Sequence, residues 1–207
     1  VQQTLSACAP VLGLAHQREG YGIPDGEECI KHNDDVFAWL TKSPNIKTVI
    51  LASTWADALA PKGSSLDRDG NITFNNEAPM AVLRDTVKQI QALGKQVVLV
   101  EPPPNNARDL GMCLAAATAN KLSLSVCDFP VTKNGRATID ARLQKLADQV
   151  PVFSLTPLFC PDGTCYASVN GIFMYRDAGH ITHEGSAYIG KTYDLMGQLL
   201  KAAANGK

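Results

Sequence analysis

Three nearly continuous apolar runs constrain the fold most. Ile46 to Ser53, Lys95 to Val100 and Val150 to Leu155 are rich in β-branched residues and show no in/out alternation. Strands that are covered on both faces read this way. A helical pattern precedes each run. Asp34 to Leu40 comes before the first. Ala78 to Leu93, with Val82, Leu83, Val87, Ile90 and Leu93 on one stripe and Gly94 at the stop, comes before the second, and Ile139, Leu143, Leu146 and Ala147 come before the third. A last helix is expected from about His183 to Ala204, capped by Thr182. Helix–strand alternation at this spacing predicts a parallel sheet with crossover helices, a three-layer, doubly wound α/β fold. The 207 residues, of which 45% are hydrophobic, suit one domain spanning 1–207. Ala60 to Asn76, rich in Gly, Ser, Asp and Asn, reads as a surface insertion after the first strand.

The formal net charge is -1 and there is no long Lys/Arg run, so nucleic acid is a poor partner. No apolar run approaches the ~20 residues of a membrane-spanning helix. The six cysteines, at 8, 29, 113, 127, 160 and 165, lack the paired spacing of zinc sites. Most stand in Pro-, Gly- and Asp-rich sequence, where disulfides are favoured over buried reduced thiols. Six cysteines can pair in fifteen ways, and the sequential set 8–29, 113–127, 160–165 is the simplest. Disulfides imply an oxidising, extracytoplasmic compartment.

Ligand sites of doubly wound sheets form at the carboxyl ends of the strands, which directs attention to Ser53-Thr54-Trp55, to Glu101-Pro102-Pro103 and to the loop after Leu155. The strongest local signal is Tyr175-Arg176-Asp177-Ala178-Gly179-His180-Ile181-Thr182-His183, just before the last helix. Asp177 and His180 stand three apart on a turn. That spacing lets the carboxylate reach imidazole Nδ1 and leaves Nε2 as a general base. The alternatives are a capping or loop role for His180, a turn-forming role for Asp177, and a metal set of Asp177, His180 and His183 that lacks a fourth ligand. No cofactor and no metal are expected. Trp55 and Thr54 are candidate substrate-binding residues, with Thr54 an oxyanion donor. Trp55 read as core, Arg176 as a solvated or salt-bridged side chain, and His16, His32 and His183 as surface residues complete the inventory.

These blocks, in this order, resemble those of the SGNH (GDSL-like) hydrolases, which close on Asp-x-x-His before the last helix. The chain is more closely similar to the SGNH domain fused behind the membrane acyltransferase-3 domain of bacterial glycan O-acetyltransferases. The resemblance rests on Ser6-Ala7-Cys8-Ala9-Pro10, on Val49 to Ala56 with its Trp, on Cys160-Pro161-Asp162-Gly163-Thr164-Cys165, and on Tyr175 to Thr182. It implies a flavodoxin-like SGNH fold and serine-dependent O-acetyl transfer to a cell-envelope glycan such as O-antigen. The acyl donor would be supplied through a membrane acyltransferase domain, and the protein would be periplasmic, tethered to the inner membrane. A stand-alone acetyl-esterase and a non-catalytic glycan-binding module are the alternatives. Gly-Asp-Ser occurs nowhere in the chain, nor does a Gly-x-Asn-Asp block. The expectation is therefore that the first strand and its nucleophilic serine lie upstream of Val1. In a 2-1-3-4-5 sheet that strand is central, and its neighbours would otherwise keep unpaired ladders.

Overall fold

A computed structural model describes residues 1–17, 20, 22–55, 58–59, 63–74 and 77–206. Ala56, and residues 60–62 and 75–76 of the expected insertion, lie outside the described residues. In chain order the elements are β1 (Leu14–Gln17), α1 (Ile23–Thr41), β2 (Thr48–Ala52), β3 (Ser64–Asp67), β4 (Ile72–Thr73), α2 (Ala78–Ala92), β5 (Gln96–Val100) and α3 (Leu110–Ala119). Then come β6 (Phe129–Pro130), α4 (Ala137–Gln144), β7 (Val152–Phe153), α5 (Thr156–Phe159), β8 (Thr164–Cys165), β9 (Ser168–Val169), β10 (Ile172–Phe173), α6 (His183–Thr192) and α7 (Leu195–Asn205).

The three apolar runs form one parallel sheet in the order β2-β5-β7, with Leu51 opposite Leu99 and Leu99 opposite Val152. The strands are shorter than the runs. Pro151, for example, lies outside β7, yet its carbonyl still accepts from the Leu99 amide at 2.9 Å. The central strand sorts its side chains by the two-residue period. Val97 and Leu99 pack with Leu83, Val87 and Ile90 of α2 and with Ile139 and Leu143 of α4. Val98 and Val100 face the other way, onto Leu110 and Leu114 of α3, Ile189 of α6, and Leu199 and Ala203 of α7. The result is a helix–sheet–helix sandwich, the doubly wound α/β arrangement. Each such buried aliphatic side chain contributes about 1.5–3 kcal/mol relative to exposure. Lys95, buried at the foot of β5, donates from Nζ to the carbonyls of Ser43 and Ile46, both at 2.8 Å, and so pins the turn that leaves α1.

Three elements differ from the sequence pattern. The first helix begins at Ile23 rather than near Asp34, because Pro24 in its first turn costs no hydrogen bond and Gly26 is buried against Gln17 and Leu66. Cys29 therefore stands on a helix rather than in a loop. The insertion after the first strand is structured in part: β3 and β4 form an antiparallel hairpin, with β3 also pairing β1, in a second small sheet. Its turn is closed by Asp67, whose carboxylate accepts from the Asp69 and Asn71 amides. The last helix is two, broken at Asp194 in the left-handed conformation (φ 45°), with the Asp194 carboxylate capping the Gly197 amide.

The disulfides are Cys8–Cys29, Cys113–Cys127 and Cys160–Cys165. Among the described residues no helix is long and apolar enough to cross a membrane. β2 pairs with β5 along one edge, and no described residue pairs with its other edge.

Candidate active site

The segment between β10 and α6 folds back on itself before it reaches the helix. Tyr175 and Ile181 form an antiparallel bridge, and the Arg176 amide donates to the His180 carbonyl at 2.9 Å. A buried anchor, Tyr175, holds one arm and a half-buried one, Thr182, the other. The Tyr175 hydroxyl donates to the Pro104 carbonyl at 2.9 Å, and its ring lies against Phe129 and Phe159. Thr182 accepts from the Gly185 amide as the α6 cap and donates to the Phe173 carbonyl. Gly111 of α3 makes this close approach feasible, since a Cβ there would sit 1.8 Å from the Arg176 carbonyl oxygen.

Asp177 and His180 occupy the tip of this clamped loop. Asp177 Oδ1 accepts from the Gly179 and His180 amides, each at 2.8 Å, and both carboxylate oxygens lie 2.9 Å from His180 Nδ1. Arg176 Nε adds a longer contact of 3.3 Å to Oδ2. Partial burial pushes the Asp177 carboxyl up. The Gly179 amide, the imidazole, the His180 amide and Arg176 outweigh it and hold the group below the usual carboxylate range. The carboxylate is thus ionised at neutral pH and engages Nδ1, which leaves Nε2 for another partner.

The His180 side chain is 63% exposed. It borders a cleft of about 410 Å³ whose other walls are the Gln3–Pro10 segment, the tip of β2 from Ala52 to Trp55, and His16, His32 and Asn33. The structure therefore brings Thr54, Trp55 and His180, which are distant in sequence, to one cleft at the carboxyl end of β2. Thr54 is exposed there. The Trp55 ring is wholly buried, and its indole N–H donates to the Val100 carbonyl at 2.9 Å. Its backbone is left-handed (φ 53°), which turns the chain out of the sheet immediately after Thr54.

His183 is exposed at the start of α6, away from the cleft lining. Among the described residues, no three His, Cys, Asp or Glu side chains converge on a metal position. His16 and His32 differ from their reading as surface loop residues: they stand on β1 and α1, half-buried, and face the cleft. No local pattern marks them, because only the pairing of β1 with β3 and the early start of α1 bring them in. Arg136 is a further residue that no motif singled out. Its guanidinium comes close to Gly179 of the loop.

A family model described as the SGNH domain (fused to AT3 domains) matches residues 1–194. Among solved structures, the chain is similar to the periplasmic domain of the lipopolysaccharide acetyltransferase of Salmonella ser. Paratyphi A. The TM-score is 0.57 at 16% identity, over 81% of this chain and 62% of that one. At that identity the likeness speaks for the shared fold alone, and the chain spans less than two thirds of that structure's length. No curated protein matches the chain. With its parallel sheet, its Asp-x-x-His loop and a family match over nearly its whole length, the chain belongs to the SGNH domain family found fused to AT3 domains.

Proposed function

We propose that this chain is the extracytoplasmic acyl-transfer domain of a membrane acyltransferase, moving an acetyl group through a serine ester to a hydroxyl of a cell-envelope glycan. The observation that carries the reading is the Asp177–His180 pair, held by two backbone amides and opening on the cleft beside Thr54. In the first half-reaction His180 Nε2 takes the proton of a serine hydroxyl as its oxygen bonds to the acyl carbon. Asp177 stabilises the imidazolium that forms, and the proton passes to the leaving group. In the second half-reaction the glycan hydroxyl gives its proton to His180 as its oxygen bonds to the acyl carbon; the ester bond to serine then breaks, and His180 returns the proton to the serine oxygen. Backbone N–H groups at the β2 tip, with the Thr54 hydroxyl, would hold the tetrahedral oxyanion. Trp55 acts beneath this surface, its buried ring fixing the direction in which Thr54 leaves the sheet.

The serine is proposed to come from a strand upstream of Val1 in the same polypeptide. No described residue pairs with the outer edge of β2, whose tip lines the cleft, and that edge offers the strand a ladder to complete. Three disulfides fit an oxidising compartment, and the fusion named for the family supplies a membrane partner.

The solvent exposure of His180 favours a second reading, hydrolysis of acetyl esters with water as the acceptor. The two readings part in acceptor-dependent kinetics with the full polypeptide. Acyl transfer predicts that added envelope glycan becomes acetylated and speeds donor consumption. Ester hydrolysis at a rate indifferent to glycan, with no acetylated product, would overturn the transferase reading.

A further inference from the structure

We infer that the acceptor taken by this cleft is a neutral sugar, and that His32, a cleft residue outside the Asp-x-x-His loop, holds one of its hydroxyl groups. The inference rests on the acyl-transfer reading and deepens it, naming the class of substrate that the cleft selects.

Among the described residues that line the cleft there is no Asp, Glu, Lys or Arg. Asp177, the carboxylate that steadies His180, is not part of the lining. The charged side chains flanking His32 on α1 are paired with others. Lys31 meets Asp35, and Asp34 accepts from Arg68 in two hydrogen bonds of 2.6 and 3.1 Å. A carboxylate or phosphate entering the cleft would give up water and meet no cation there. A pyranose gives up only the hydration of its hydroxyls, which polar side chains replace. The polar lining consists of such groups, imidazoles, hydroxyls and amides, while half-buried Leu5 and Pro10 offer apolar surface to the C–H face of a ring. The volume of about 410 Å³ lies within the roughly 300–1,000 Å³ of small-molecule sites.

Three separate elements build this wall. Leu14 of β1 belongs to the core that holds Trp55 and Leu59, and His16, two residues on, projects from the same strand face. Cys29 and Asn33, four apart, share a face of α1. Cys29 is bonded to Cys8, and Asn33 Nδ2 donates to the carbonyls of Ala9 at 2.8 Å and Val11 at 3.0 Å. His32 adjoins that seam, half-buried, and no described residue hydrogen-bonds its ring. Ala7 is left-handed (φ 57°) in a turn closed by the Cys8 amide on the Leu5 carbonyl at 3.3 Å. Such backbone is strained for a residue with a Cβ and persists where the surrounding structure fixes it. The wall is thus held in shape before a ligand arrives, and the imidazole on it offers a hydroxyl one donor and one acceptor.

Saturation-transfer NMR and an acetylation assay on the full polypeptide test the inference. The probes are the methyl glycosides of glucose, galactose, mannose and rhamnose, and methyl glucuronide, which carries a carboxylate on the glucose ring. At least one neutral glycoside should bind, and the glucuronide should bind about tenfold or more weakly than the best of them. His32→Ala should weaken neutral binding by roughly 5–10-fold, and His32→Gln, which keeps a donor and an acceptor, by less. His32→Phe, which keeps a ring without nitrogens, should match the alanine variant and decides the matter if that variant does not fold. A glucuronide that binds as tightly as the best neutral glycoside overturns the inference. So does the absence of neutral binding, or a wild-type neutral affinity in the folded alanine or phenylalanine variant. A neutral glycoside that binds through His32 yet is never acetylated would sink the transferase reading and leave the neutral-sugar site standing. Acetylation of the glucuronide at the neutral rate would do the reverse.

Discussion

At the scale of single residues, opposite environments set two carboxyl groups apart. Asp177 meets amides and an imidazole and stays ionised. Its folded form holds a proton less firmly than the unfolded chain, so its contribution to stability is present above the ordinary carboxylate range and is lost as pH falls through the depressed folded value. Asp140 behaves in the reverse sense. With its carboxyl at about 6 in the fold, ionisation costs stability as pH climbs from about 4, the unfolded value, to about 6. Asp140→Asn should therefore gain on the wild type by about 1–2 kcal/mol between pH 4 and pH 8. Thermal unfolding across that range checks it, and a constant difference between the two proteins would refute it. Trp55 is the other residue whose surroundings decide its part. Trp55→Phe removes the buried donor to the Val100 carbonyl and leaves a small void, at a cost of about 2–3 kcal/mol in denaturant unfolding.

At the scale of elements, the loop from Tyr175 to Thr182 depends on a helix that does not belong to it. Gly111→Ala would drive a methyl into the Arg176 carbonyl, a backbone atom with little room to yield. The expected outcome is a loss of about 2–3 kcal/mol together with a disturbed His180 environment, read by the melting temperature and the His180 ring shifts. That dependence was invisible in the chain's pattern, where Gly111 opens an ordinary apolar helix. The apolar runs did reveal the three parallel strands and the helices between them, because burial on both faces leaves a compositional mark. They could not reveal β1, β3 and β4, whose residues Leu14–Gln17, Ser64–Asp67 and Ile72–Thr73 are short and half polar and owe their form to one another. Asp194 likewise breaks the last helix against an apolar periodicity that runs straight through it. The Asp177–His180 pair was legible because both partners share one turn. The cleft neighbours His16 and His32 were not, since each arrives by tertiary packing.

At the scale of the whole molecule, no described residue pairs with the outer edge of β2, whose tip lines the cleft, and the disulfides reach into the core, where Cys127, Cys160 and Cys165 are buried. Cys113–Cys127 closes a 14-residue separation between α3 and the turn that follows it. Replacing both cysteines with serine should lower unfolding free energy by about 3 kcal/mol, measured by denaturant titration. The architecture gives the imidazole at 180 a fixed carboxylate on one side and an open cleft on the other, the setting in which a hydroxyl nucleophile would be deprotonated. The most direct test is the rate of acyl-group release from an activated acetyl ester by the full polypeptide, comparing wild type with His180→Ala. Loss of about a thousandfold or more in kcat, with the fold intact, is the predicted result; an alanine variant that keeps the wild-type rate would contradict the assignment.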